Sequence, residues 1–301
     1  MNFAINKVSI IGYGNVGKFL ASILDSLGML HTVISKKEKI QSDITKAKFI
    51  NNINQLKDLP DAFIIAVSDN LIETVAKELA NNLKSKLEEI YVFHLSGTLS
   101  RNILDICYKY KANTASIHPF QTFFCSNSST NLLENATQTL TDTVWNIECL
   151  EKHISVIFNF IQKIKGIPIH MSQETINNKA IYHSTAVAAS NYITMAISLS
   201  YKLANIAGID PNIFLPKIIN TTINNNLTAL KNNKLALTGP IVRGDIEILE
   251  KHINSLKNNK ELKNIYCYLG LGLLELIKQE KVINNDNLEK IKELLNNEVK
   301  S

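Results

Sequence analysis

The sequence is poor in the residues that staple or metallate a fold. Its four cysteines, Cys107, Cys125, Cys149 and Cys267, are widely separated and form no Cys-x-x-Cys pair. That excludes a disulfide framework and a thiolate metal cluster, and it fits a reducing compartment. His31, His153, His170 and His252 show no metal-ligand spacing, so no metal is expected. Neither sign of charge is concentrated: the net charge of +5 comes from Lys-rich segments with Asp and Glu interleaved, and no aromatic-studded basic stripe marks a nucleic-acid surface. There is no internal repeat and no low-complexity linker. No apolar leader precedes the first motif, because Lys7 and a glycine-rich turn interrupt any such run. One long uncharged stretch exists, Ala180 to Tyr201, but it is loaded with Ser, Thr, Asn, Tyr and His. A helix inside a domain or at a subunit interface explains it better than a membrane span. The expectation is a cytoplasmic protein that engages neither nucleic acid nor membrane.

What is present begins with Lys7-Val8-Ser9-Ile10-Ile11-Gly12-Tyr13-Gly14-Asn15-Val16-Gly17. A β-branched run reads as a buried parallel strand. It breaks into Gly-x-Gly-x-x-Gly, and an apolar helical pattern follows: Val16, Phe19, Leu20, Ile23, Leu24, Leu27. Gly12 makes the tight turn, Gly14 admits a pyrophosphate to the backbone, and Gly17 lets helix and strand pack closely. With Tyr13, Asn15 and Val16 between them, these residues form a dinucleotide cradle at a helix N-terminus. A second strand, Met29 to Ile34, ends in Ser35-Lys36-Lys37, roughly 20 residues beyond the fingerprint, where the adenosine ribose is normally read. An acidic residue there would bind the ribose 2′-hydroxyl of NAD. A hydroxyl and two cations suit the 2′-phosphate of NADP instead, and a hydrogen bond to a charged group contributes about 1.5–3 kcal/mol.

Further strands follow near Lys48–Ile50, Asp61–Val67, Ile90–Leu95, Thr114–Ile117, Val144–Glu148 and Ile167–His170, alternating with helical patterns. The alternation predicts right-handed crossovers and a doubly wound parallel sheet. Ligands of such sheets sit beyond the carboxyl ends of the strands, so Val67-Ser68-Asp69, Ser96-Gly97 and His118-Pro119 are expected to face the cofactor. Beyond Ser172 the pattern is helical only: a long helix to about Ala207, another after Asp210-Pro211, a break at Thr238-Gly239-Pro240, a helix capped by Asp245, and two more. The predicted architecture is α/β: an N-terminal Rossmann domain, residues 1–171, followed by an all-helical substrate and dimerisation domain, residues 172–301.

Three motifs together carry a family resemblance across essentially the whole chain. They are Gly12-x-Gly14-x-x-Gly17, Tyr182-His183-Ser184-x-Ala186-x-Ala188-x-Ser190-Asn191, and Thr238-Gly239-Pro240-Ile241-Val242-Arg243-Gly244-Asp245. The sequence resembles Rossmann-type NADP oxidoreductases with a C-terminal helical domain, among which the alternative ketopantoate reductases of pantothenate synthesis are the nearest functional match. The resemblance implies reduction of 2-dehydropantoate to pantoate with NADPH. An imine reductase of the pyrroline-5-carboxylate type is the alternative, and a non-catalytic NADP-binding protein is a third reading.

Ketone reduction needs a proton donor at the developing alkoxide and a cation for the substrate carboxylate. Lys179, His183, Ala186 and Ser190 fall on one helical face, bordered by Asn191. Lys179 is the first candidate for the acid. The resemblance supports it, because related hydroxyacid dehydrogenases and ketopantoate reductases place a catalytic lysine on the first long helix of this domain. Their asparagine follows one turn later, where this chain has His183, which makes His183 the second candidate. His118, Asn191 and Arg243 are the expected substrate contacts, with an ion pair to Asp245 or Glu247 the alternative reading of Arg243. A homodimer through the long uncharged helix is also expected.

Overall fold

The computed structural model describes residues 4–36, 48–124, 131–280 and 285–300. By packing, the chain divides into two compact units, Met1–Ser190 and Asn191–Ser301.

The first unit is built on eight strands: β1 (Val8–Ile11), β2 (Leu30–Ile34), β3 (Lys48–Ile50), β4 (Ala62–Ile65), β5 (Tyr91–His94), β6 (Asn113–Pro119), β7 (Val144–Glu148) and β8 (Ile167–His170). Their order in the sheet is β3-β2-β1-β4-β5-β6-β7-β8. The switch between β1 and β4 is the point at which a doubly wound sheet binds its ligand. The helices α1 (Asn15–Ser26), α2 (Asp69–Leu83), α3 (Asp105–Tyr108), α4 (Leu132–Leu140) and α5 (Ile154–Lys163) cover the two faces. Alternation along each strand divides the apolar residues between two cores. Val8, Ile10, Ile64 and Phe93 pack with Phe19, Leu20 and Phe160 on one side, while Ile11, Phe63, Ile65 and Val92 pack with Ile72, Leu79 and Leu104 on the other. Each such side chain contributes roughly 1.5–3 kcal/mol on full burial.

The structure refines the sequence reading at two points. The sheet is not parallel throughout: β1 to β6 are, but β7 runs antiparallel to β6, with Ser116 opposite Glu148 and His118 opposite Asn146. Second, by packing, residues 172–190 group with the sheet, and the second compact unit begins at Asn191. The single long helix expected from Ser172 to Ala207 is divided into α6 (Gln173–Asn177), α7 (Lys179–Val187), a π-helical turn over Ala188–Tyr192, and α8 (Ile193–Ile206). Ser172 caps α6 as expected, its Oγ accepting from the Thr175 N–H at 3.1 Å. The α6 and α7 segments belong with the sheet because Lys179 and Tyr182 are hydrogen-bonded to its strands.

The second unit holds α8, α9 (Pro211–Leu230), α10 (Pro240–Arg243), α11 (Ile246–Ser255), α12 (Lys260–Glu280) and α13 (Asn285–Lys300). Asp210 caps α9 through Oδ1, which accepts from Asn212 N–H at 2.8 Å. Its core comprises Ile241, Leu249, Ile253, Cys267, Leu274, Ile277, Leu288 and Ile291. The Thr238–Asp245 motif has a physical basis in this unit. Pro240 opens a one-turn helix, Ile241 enters the core, and Gly244 closes the turn in the left-handed region at φ 74°. Asp245 stands at the N-cap position of α11, yet its carboxylate makes no cap bond and accepts instead from Arg243 Nε at 2.9 Å. Among the described residues no helix is long and apolar enough to cross a membrane.

Candidate functional site

The turn from β1 into α1 is fixed by backbone. Gly12 lies at φ +107°, and a β-carbon there would collide with the Ala66 carbonyl; one at Gly17 would collide with the Gly12 carbonyl. Gly14 faces open space. Gly14 is the N-cap of α1, no side chain caps the helix, and its first turn carries no acid. The opening N–H groups and the positive end of the dipole are thus available to an anion. Asn15 ties the turn to the next segment by donating Nδ2–H to Phe123 O at 3.1 Å. Tyr13 is buried edge-on against Phe49, and Val16 packs on the core.

A cavity of about 490 Å³ opens beside this turn at the carboxyl ends of β1, β2 and β4. Ile53, Val67 and Leu71 give it apolar walls, while Ser35, Lys36 and Asn51 give it a polar end. Lys37 lies outside the described residues. Glu78 also lines the cavity and sits 3.5 Å from Lys36 Nζ. Its place on α2 is far in sequence from the second strand, so the strand pattern alone gave no sign of it.

At the ends of β4 and β5, Asp69 gathers the loop that carries Gly97. Ser96 Oγ and Thr98 Oγ1 both donate to its Oδ2, at 2.6 and 2.8 Å. Ser96 Oγ in turn accepts from the Leu99 N–H at 3.0 Å. Ser68 hydrogen-bonds Asn70 at 2.7 Å. His94 is fully buried at the end of β5, accepting from Ser96 N–H and directing Nε2 at Ser100 O. Burial, then the charge of Lys179, pushes it down to about 4, so it is neutral.

A polar face on β6 and β7 completes this end of the unit. Ser116 and His118 alternate on one strand, Asn146 and Glu148 on its neighbour, and register places them opposite each other. The first two turns of α7 hydrogen-bond to that face. Lys179 is 5% exposed, and its ammonium donates to Glu148 Oε2 at 2.8 Å, to Ser116 Oγ at 3.1 Å and to Leu99 O. An ammonium has three protons, and here all three point at protein acceptors. Glu148 also accepts from Ser100 Oγ at 2.7 Å and Arg101 N–H at 3.1 Å. Burial alone would raise its carboxyl; the hydrogen bonds from Lys179 and Ser100 and the lysine charge outweigh burial and hold it below the usual range.

One turn on, Tyr182 accepts from Asn146 Nδ2–H at 2.9 Å and contacts His118 Nδ1 at 2.7 Å. Burial, then the His183 and Lys179 charges, depress His118 to about 4. The His183 ring lies 6.0 Å from that of His118, half-buried, with no hydrogen bond from either nitrogen among the described residues. Both rings crowd Gly97, where a β-carbon would meet His183 Cδ2 at 2.7 Å and His118 Nε2 at 2.9 Å. The structure thus brings together Gly97, His118, Lys179 and His183. Asn191 and Arg243 belong to the second unit, where Arg243 is in the exposed pair with Asp245. Glu148, Asn146 and Tyr182 were missed as site residues. The signal for them was polar residues at alternate positions in otherwise apolar strands, and the i, i+3 pair Lys179 and Tyr182 on α7.

Residues 143–272 match a family described as a domain of unknown function, DUF2520. No curated protein matches the chain. A candidate NADP oxidoreductase from Bacteroides fragilis is similar in structure, with a TM-score of 0.70 at 17% identity over 88% of this chain and 96% of its own. Pyrroline carboxylate reductase from Plasmodium falciparum, solved with NADP bound, has a TM-score of 0.56 at 13% identity and covers 99% and 100%. An imine reductase from Myxococcus stipitatus in complex with NADP+ also has a TM-score of 0.56 at 13% identity and covers 98% and 94%. At these identities the likeness establishes the fold: a Rossmann-type sheet followed by a helical C-terminal region.

Proposed function

We propose that this protein is an NADP(H)-dependent reductase that transfers hydride to the C=N or C=O carbon of a small substrate. The observation that carries the reading is the uncapped N-terminus of α1, held behind Gly12 and opening beside the 490 Å³ cavity. Pyrophosphate at that terminus would place adenosine in the cavity, with Ser35 and Lys36 at a 2′-phosphate. Nicotinamide would extend toward Gly97 and His118. Structural relatives named for NADP chemistry support the assignment.

Two substrate classes divide on the proton. All three protons of Lys179 are committed, which favours an iminium: it already carries its proton, and hydride from NADPH yields the amine with no acid at the transition state. In this reading Lys179 positions α7 and does not donate. His183, half-buried and without a hydrogen bond among the described residues, favours the keto-acid reading, in which hydride reaches the carbonyl carbon and His183 delivers a proton to the oxygen. There 2-dehydropantoate would be reduced to pantoate. A second copy of the chain would cover the exposed apolar residues of α8 and α9, among them Ile193, Ile213, Phe214 and Ile218.

NADPH oxidation, followed at 340 nm with cyclic imino acids and with 2-keto acids including 2-dehydropantoate, tests the reading. Turnover on one class assigns it, and the imine reading predicts that His183→Ala retains most activity. NADPH binding without turnover on either class would instead indicate a non-catalytic cofactor-binding protein.

A further inference from the structure

The polar face on β6 and β7 contains a hydrogen-bond chain that runs from Asn146 through Tyr182 to His118. Asn146 Nδ2 can only donate, and it donates to Tyr182 O at 2.9 Å. The tyrosine hydroxyl keeps one proton to give, and His118 Nδ1 lies 2.7 Å away. With the hydroxyl proton given to Nδ1, the imidazole proton resides on Nε2. That edge is turned to the bare α-carbon of Gly97, next to the His183 ring. Protonating the ring as well would require the tyrosine hydroxyl to turn its proton away from Nδ1.

We propose that Asn146 and Tyr182 are positioning residues that lock His118 as its neutral Nε2–H tautomer. Gly97 then faces a hydrogen-bond donor that is neither a cation nor an acceptor. Such a donor selects a ligand that presents a carbonyl or carboxylate oxygen at this point, and it disfavours one that presents an N–H. The charged and titratable groups around the ring, His183, Lys179, Asp69 and His94, leave this assignment in place, since the group in direct contact with Nδ1 is the tyrosine hydroxyl. The substrate side of this inference rests on the reductase reading; the tautomer itself does not.

Long-range ¹⁵N–¹H spectra of the full chain labelled at histidine test the lock without any substrate, with His118→Gln identifying the His118 signals. The wild type should show His118 protonated at Nε2 at pH 7. Asn146→Asp replaces the donor by an acceptor of the tyrosine proton, so Tyr182 O must accept from His118 and the proton should move to Nδ1. Tyr182→Phe removes the fixed partner and should leave both tautomers populated. In turnover, Asn146→Asp should lower kcat at least tenfold while the Kd for NADPH stays within twofold. A wild-type proton on Nδ1 would overturn the proposal. So would a tautomer that stays the same in wild type, Asn146→Asp and Tyr182→Phe. An intact lock in a protein that fails to bind NADPH would overturn the reductase reading alone.

Discussion

Lys179 carries a charge into the interior because Glu148, Ser116 and the Leu99 carbonyl between them use every proton it has. A buried pair of this kind gains little over apolar residues of equal size, yet removing one partner leaves an uncompensated charge, at roughly 3–5 kcal/mol. Lys179→Met should therefore lower stability by about that amount in urea titration, and adding Glu148→Leu should recover much of it. A single-variant loss below about 1 kcal/mol would show that the pair is solvated. The residue type was legible from the sequence: Lys179 and His183 stood out as the titratable groups on one helical face. The partner was not legible, because Glu148 lies 31 residues earlier, on a strand whose reversal no local pattern encodes. Without the partner, a committed ammonium and a free one look alike.

At the scale of elements, β5 and β6 each end in a histidine that the fold keeps neutral, His94 and His118, both held near 4. In the unfolded chain each binds a proton below about 6.5. Between pH 4 and 6.5 the unfolded state therefore binds more protons, and stability rises with pH across that window. For fully buried His94 the full effect is on the order of 3 kcal/mol, at about 1.4 kcal/mol per pKa unit. Glu148, held low, adds a loss in the same direction at the acid end. Thermal unfolding between pH 4 and 7 should show Tm climbing up to about pH 6.5 and then flattening; a flat profile from pH 4 upward would contradict the burial of these rings. The strands themselves were readable because short apolar, β-branched runs are a local signal, and all eight appear where the pattern put them. Helix boundaries within residues 172–207 were not, since the breaks at Asn178 and at Ala188–Tyr192 fall in sequence with no glycine or proline.

For the whole molecule, exposed Ile213, Phe214, Ile218 and Leu227 on α9 leave an apolar surface that a lone chain would hold in water. The account predicts a mass of twice 33.7 kDa in sedimentation equilibrium, and a 33.7 kDa species at micromolar concentration would count against it. The central claim is that the turn at Gly12 binds a phosphorylated dinucleotide, and calorimetric titration with NADPH and NADH tests it most directly. The account predicts saturable heat with NADPH, a Kd at least tenfold lower than for NADH, and loss of both signals in a folded Gly12→Ala variant. Absence of heat with either dinucleotide, or equal binding by Gly12→Ala, would contradict it.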